Sequence, residues 1–145
     1  MHPNSNLRII ATWSQTFDNM NWYLMPNNTD PLDQIWFLED TLLLSEKEGN
    51  DVIIIGHIPP GDVFSMSEWS WWYWALIHWY SNIIWGQYYG HTHYDEYHVV
   101  RSYNESELSS GTVWVVGSFT SYPFKNPGLR VWHLAPDTYH ILNFN

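Results

Sequence analysis

The chain contains no cysteine, so no disulfide framework can be argued and thiols do not set its redox compartment. Basic residues are nearly as scarce, with five Lys and Arg against 15 Asp and Glu, and a formal net charge of −10. None of the five lies between Glu48 and Val100. A phosphate-backbone partner needs a basic face, because counterion release drives that binding. The composition therefore argues against nucleic acid, and equally against simple electrostatic attraction to anionic lipid. Histidine changes the balance in acid, since imidazole gains its charge just below neutral pH. Five of the eight histidines fall in the same Lys- and Arg-free stretch.

Charged residues of all kinds make up 14% of the chain, whereas 45% is hydrophobic and 19% aromatic, including 11 Trp. That balance excludes intrinsic disorder, and 145 residues are enough to bury a substantial core. So many indoles imply a heavily aromatic core or a surface that meets something apolar. The uncharged run from Trp69 to Tyr94 has the length of a membrane span. His78, Ser81, Asn82, Gln87 and His91 interrupt it, however, and Gly86 and Gly90 divide it. It reads as a soluble helix followed by a strand. Met1-His2-Pro3-Asn4 has neither the basic start nor the apolar run of a signal peptide, so a secreted form takes its signal from upstream. Two sequons, at Asn27 and Asn104, are glycan acceptors in such a form.

Leu7 to Thr12 reads as a strand and Ser14 to Asn28 as a loop. Asp30-Pro31 starts a helix, with Asp to cap free amides and Pro at the first helical position. Leu32, Ile35, Trp36, Leu38, Leu42 and Leu43 form its expected apolar face, and Gly49 ends it. Val52 to Ile55 is β-branched without alternation, the pattern of a strand buried on both faces. A helix over Trp69–Tyr80 and a strand over Ile83–Tyr89 follow. Tyr97–Tyr103, Thr112–Val116, Leu129–His133 and Tyr139–Leu142 are further strands separated by turn residues. The expected fold class is α/β, in a layered sandwich whose later part is rich in strands.

The chemistry gathers at two corners. Gly56-His57 and Gly90-His91-Thr92-His93 each follow an apolar strand. In each, glycine is expected to let the backbone turn sharply and come close to a metal. His91 and His93 are two apart, so on an extended strand they share a face, and in a loop they straddle two adjacent ions. Neutral imidazoles at the C-terminal edge of a sheet suit a borderline ion such as zinc, and that edge is where open α/β sheets place ligands. A lone loop histidine carries no such reading. Three at two strand ends, two of them preceded by Gly, do.

Gly56-His57-Ile58-Pro59-Pro60-Gly61 and Gly90-His91-Thr92-His93 resemble the last two signature blocks of the calcineurin-like metallophosphoesterases. Trp69-Ser70-Trp71, Gln87-Tyr88-Tyr89, Asp95-Glu96-Tyr97, the sequon before Asp30-Pro31 and Asn126-Pro127-Gly128-Leu129-Arg130-Val131 are similar to the acid sphingomyelinase branch. The resemblance implies that residues 1–145 are the C-terminal portion of one catalytic domain, a partial α/β sandwich. It implies two zinc ions, in-line attack of water on phosphorus and charge neutralisation by both ions. His57 and His91 would bind one zinc and His93 the other, with Pro59-Pro60-Gly61 stiffening the first corner. The implied substrate is a phospholipid or other phosphodiester, first of all sphingomyelin, cleaved to ceramide and phosphocholine. The implied setting is extracellular or lysosomal. A nucleotide-directed relative of the superfamily fits less well, because the residues between the corners follow the sphingomyelinase pattern.

The sequence also departs from that pattern. There is no Asp-x-His block, and Gly49-Asn50 stands immediately before the strand leading to His57, which makes it a helix-ending turn and not the family's upstream Asn block. Asp62-Val63 occupies the place where a family cysteine is expected. Three histidines cannot close the coordination of two zinc ions, so the expectation is a fragment whose N-terminal half, lying elsewhere, supplies the remaining ligands. The alternative is a noncatalytic module that binds lipid or a partner domain through an aromatic face. In that face Trp69, Trp71 and Trp72 are candidate lipid contacts, against the plainer reading that part of the helix is core. Asp95, Glu96 and His98 read as solvated strand residues, and His78 as a hydrogen-bonded, half-buried one.

Overall fold

The structure is a computed structural model and describes residues 6–26, 29–101, 109–136 and 138–145. Both sequon asparagines, Asn27 and Asn104, lie outside the described residues. The elements run β1 (Leu7–Ala11), α1 (Gln34–Glu48), β2 (Asp51–Ile55), α2 (Ser67–Trp79), β3 (Ile84–Tyr89), β4 (Glu96–Arg101), β5 (Ser109–Val115), β6 (Trp132–Leu134) and β7 (Ile141–Phe144). Short 3-10 turns at Ser14–Phe17, Trp22–Leu24 and Pro31–Asp33 occupy the first long connection.

The fold is α/β. β1, β2, β3 and β5 are mutually parallel neighbours in a five-stranded sheet of order β1-β2-β3-β5-β4, and β4 runs antiparallel along β5. Val52, Ile53 and Ile54 are buried, as their unbroken β-branched run predicts for a strand covered on both faces, whereas Ile55, at the strand end, is 40% exposed. α1 and α2 join successive parallel strands and share one core with one face of the sheet. Leu38 and Leu42 of α1 and Trp69, Tyr73 and Ile77 of α2 meet Ile10, Val52, Ile54, Tyr89, Val113 and Val115 there. Inside that core the Tyr73 hydroxyl donates to Gln87 Oε1 at 2.8 Å, so one buried polar group satisfies the other. The β6–β7 ribbon covers part of the opposite face, with Trp132 against Tyr88 and Trp114. Arg130 lies over the rings of Trp114, Trp132 and Phe144 and pairs with Asp95.

The first helix differs from its sequence reading. Asp30 does cap it, its carboxylate accepting the amides of Ile35 and Trp36 at 2.9 and 3.1 Å. Yet Leu32 and Asp33 adopt positive φ, and α1 begins only at Gln34. Leu32 and Trp36 are exposed and Leu43 largely so, because the buried stripe is Leu38, Leu42 and Ser45, at i, i+4 and i+7. Gly49 ends α1 at φ 68°, in the left-handed region that favours glycine. The later strands keep their identity with shifted ends: Leu129 to Val131 is not strand, and the ribbon pairs Trp132–Leu134 with Ile141–Phe144. Tyr103, the expected end of β4, lies outside the described residues. No helix among the described residues is long and apolar enough to cross a membrane.

Candidate functional site

Four parallel strands end at one edge of the sheet, and the segment after each contributes to a single cleft region. β2 and β3 are adjacent and parallel, so the corners following Ile55 and Tyr89 emerge side by side. Gly90 donates its amide to the His57 carbonyl at 3.0 Å, which extends the ladder into the corners. His57 Nε2 and His91 Nδ1 then meet at 3.2 Å across 34 residues of sequence. For that contact to be a hydrogen bond one ring must donate and the other accept, so the two imidazoles do not both carry two protons. The His57 pKa is accordingly held below its ordinary value, first by burial and then by the neighbouring His91 and His93.

His93 is set apart from this pair. Its Nδ1 lies 2.6 Å from the Tyr122 carbonyl oxygen, which can only accept, so Nδ1 carries the proton. In the neutral ring Nε2 then keeps its lone pair, the arrangement that outer-shell carbonyls impose on ligating histidines. The cleft has a volume of about 640 Å³, and besides the histidines it is lined by Asp62, Phe64, Tyr94, Glu96, Tyr122 and Lys125. Among the described residues no three His, Cys, Asp or Glu side chains converge to enclose a metal ion by themselves.

The glycines of the two corners act differently from their sequence reading. Neither Gly56 nor Gly90 has positive φ; the left-handed positions are Gly61 at φ 83° after the first corner and, in the second, His91 at φ 75° and His93 at φ 60°. Non-glycine residues held there carry strain of roughly 1–3 kcal/mol each. Gly56 serves close packing instead: a Cβ on it would sit 2.5 Å from Tyr89 Cε1 and 2.8 Å from Thr12 Oγ1.

Three contributors had no sequence signal. Ser14, buried after β1, accepts the amides of His57 and Ile58 through its hydroxyl at 3.0 and 2.8 Å. Tyr122 supplies the carbonyl for His93, and Lys125 Nζ donates to the Thr92 carbonyl at 2.7 Å. Each reaches its partner across 29 to 44 residues, a separation at which only the strand order brings them together.

Of the aromatic candidates, Trp69 is 3% exposed and stacks on Phe17 at 4.7 Å between centroids, so it belongs to the core and offers no lipid contact. Trp71 and Trp72 are 57% and 59% exposed. His78 is half-buried, with Nδ1 2.8 Å from Ser110 Oγ. Asp95 is taken by Arg130, and Glu96 lies 3.8 Å from His98.

No protein-family profile matches the chain. Curated proteins do. A sphingomyelin phosphodiesterase of Bos taurus is 38% identical over 136 residues, covering 92% of this chain and 21% of that protein. Sphingomyelin phosphodiesterase B of Dictyostelium discoideum is 31% identical over 95% of this chain and 23% of that protein. A cyclic GMP-AMP phosphodiesterase of Homo sapiens is 33% identical over 97% of this chain and 33% of its own length. This chain is thus homologous over nearly its whole length to the C-terminal part of sphingomyelin phosphodiesterases. It spans about a fifth of the length of the first of these curated relatives.

Proposed function

We propose that this chain carries part of the catalytic centre of a zinc-dependent phosphodiesterase that cleaves sphingomyelin to ceramide and phosphocholine. The carrying observation is the meeting of His57 Nε2 and His91 Nδ1 at 3.2 Å, delivered by adjacent parallel strands within a chain homologous to phosphodiesterases. The donor set suits zinc: neutral imidazoles are ordinary ligands, and the tie from His93 to Tyr122 leaves Nε2 available.

In this reading His57 and His91 hold one ion and His93 the other. Three imidazoles do not complete two coordination shells, and the remaining ligands come from protein outside this chain, which matches 21% of the bovine relative. Zinc, when bound, supplies Lewis-acid activation of water and neutralises charge on the phosphoryl oxygens. The chain's own residues do the positioning. Ser14 fixes the backbone at His57, and Tyr122 sets the proton position on His93. The setting proposed is the secretory pathway, extracellular or lysosomal, where Asn27 and Asn104 would be glycan acceptors.

The test measures zinc per polypeptide in the complete protein, together with turnover of a chromogenic phosphodiester and of sphingomyelin. The expected result is retained zinc and turnover that His91→Ala abolishes. Turnover that survives His91→Ala would sink the reading. The exposure of Trp71, Trp72 and Trp79 on α2 favours a second one, a noncatalytic module whose indoles meet a lipid surface. Unchanged sedimentation with zwitterionic vesicles after Trp71→Ser and Trp72→Ser would remove it.

A further inference from the structure

The stretch that bears the histidine corners contains no Lys or Arg, yet the cleft they line is not without a permanent cation. β5 ends on the same sheet edge as β2 and β3, and the segment after it brings Lys125 into the cleft. Lys125 Nζ donates to the Thr92 carbonyl at 2.7 Å and stands 3.0 Å from the centroid of the Tyr94 ring. Thr92 lies between His91 and His93, so the ammonium is fastened to the corner itself. The carbonyl takes one of three N–H groups, and the ring face holds the charge without accepting a conventional hydrogen bond.

Among the described residues Lys125 has no carboxylate partner, whereas Arg8 pairs with Glu48 and Arg130 with Asp95. Neither of the two carboxylates that line the cleft pairs with Lys125. Asp62 Oδ1 accepts the Phe64 amide at 2.9 Å, and Glu96 faces His98. A half-buried ammonium with spare donors, beside three imidazoles, is a site for an anion.

We propose that Lys125 is a phosphate-binding residue of this cleft, its ammonium contacting a non-bridging oxygen of a phosphate or phosphodiester group. The inference deepens the phosphodiesterase reading and rests on it for the natural ligand, but the contact requires no metal. It also explains how a chain of net charge −10 receives an anionic group: the attraction is local, one cation held in place, not a basic face.

The test is titration of the chelator-treated chain with inorganic phosphate and with dimethyl phosphate, followed by calorimetry and by amide chemical shifts. Saturable binding is expected, retained in Lys125→Arg and weakened about tenfold in Lys125→Gln, the worth of one hydrogen bond to a charged group. Shift changes should centre on Thr92, Tyr94 and Lys125. Binding of dimethyl phosphate assigns Lys125 to the diester, and binding of inorganic phosphate alone assigns it to a free phosphate. Unchanged affinity in a folded Lys125→Gln overturns the proposal, as do wild-type shift changes centred elsewhere, which decide the matter even if that variant does not fold. Lys125-dependent phosphate binding without hydrolysis in the complete protein would remove the enzyme reading alone. Hydrolysis with unchanged phosphate affinity in Lys125→Gln would remove this inference alone.

Discussion

His57 Nε2 and His91 Nδ1 stand 3.2 Å apart, joined by neither sequence proximity nor a shared element, only by the parallel pairing of β2 with β3. The backbone reinforces the approach, since Gly90 donates to the His57 carbonyl at 3.0 Å. Two ring nitrogens at that distance either share a proton or converge on a common ion, and this sets the first prediction.

If His57 and His91 serve one ion, their losses are not additive. His57→Ala and His91→Ala should each lower cobalt or zinc affinity by about 10- to 100-fold or more. The double variant should fall little further, because the first loss already dismantles the site. Calorimetric titration of the three variants checks this. Strictly additive losses would place the two rings in separate sites.

Ser14→Ala should destabilise the chain by about 2–3 kcal/mol, since it strips two amides, those of His57 and Ile58, of the hydroxyl oxygen that accepts them. Urea denaturation followed by Trp fluorescence measures the loss. Metal affinity should fall as well, because the backbone that aims His57 loosens with it.

Gly56→Ala should cost about 1–3 kcal/mol through overpacking, because the new methyl falls 2.5 Å from a ring carbon of Tyr89. In a Tyr89→Leu background the same substitution should cost clearly less. Equal costs in the two backgrounds would show that the Tyr89 ring is not what confines position 56.

Alkaline pH should unfold the core in a defined window. Burial lifts the Tyr89 phenol to about 12, against an opposing pull from the hydroxyls of Tyr73 and Thr12, and it holds the Tyr73 phenol well above its usual range. A raised folded-state pKa means that the contribution of these phenols to stability is fully present below about pH 10, the unfolded value. The Tyr89 share is lost as pH rises from there through about 12. Urea midpoints across that range should fall, and Tyr89→Phe should flatten the fall.

Much of the architecture is readable from local pattern. The β-branched run Val52–Ile55, the uncharged Ile84–Tyr89 and the left-handed cap at Gly49 declare themselves because each depends on properties of its own few residues. The two histidine corners are readable for the same reason, since a strand followed by Gly-His announces a turn at a sheet end. The apolar face of α1 is less legible. Leu32 and Trp36 are apolar but exposed, because composition marks which residues can be buried while the angular stripe and the neighbouring layer choose among them. Trp69 and Trp72 show the same choice three residues apart, one stacked on Phe17 and the other facing outward.

Local chemistry thus specified the strands, the corners and the imidazoles that end them. Which corners meet, what holds each ring and where charge is placed were settled by assembly. Strand order set β1, β2, β3 and β5 side by side and so brought Ser14 to His57, Tyr122 to His93 and Lys125 to Thr92. The physical reason is range. Propensity and periodicity act over a turn or a strand, whereas hydrogen bonds spanning 29 to 43 residues exist only once parallel pairing and a buried core have fixed which chain ends share an edge.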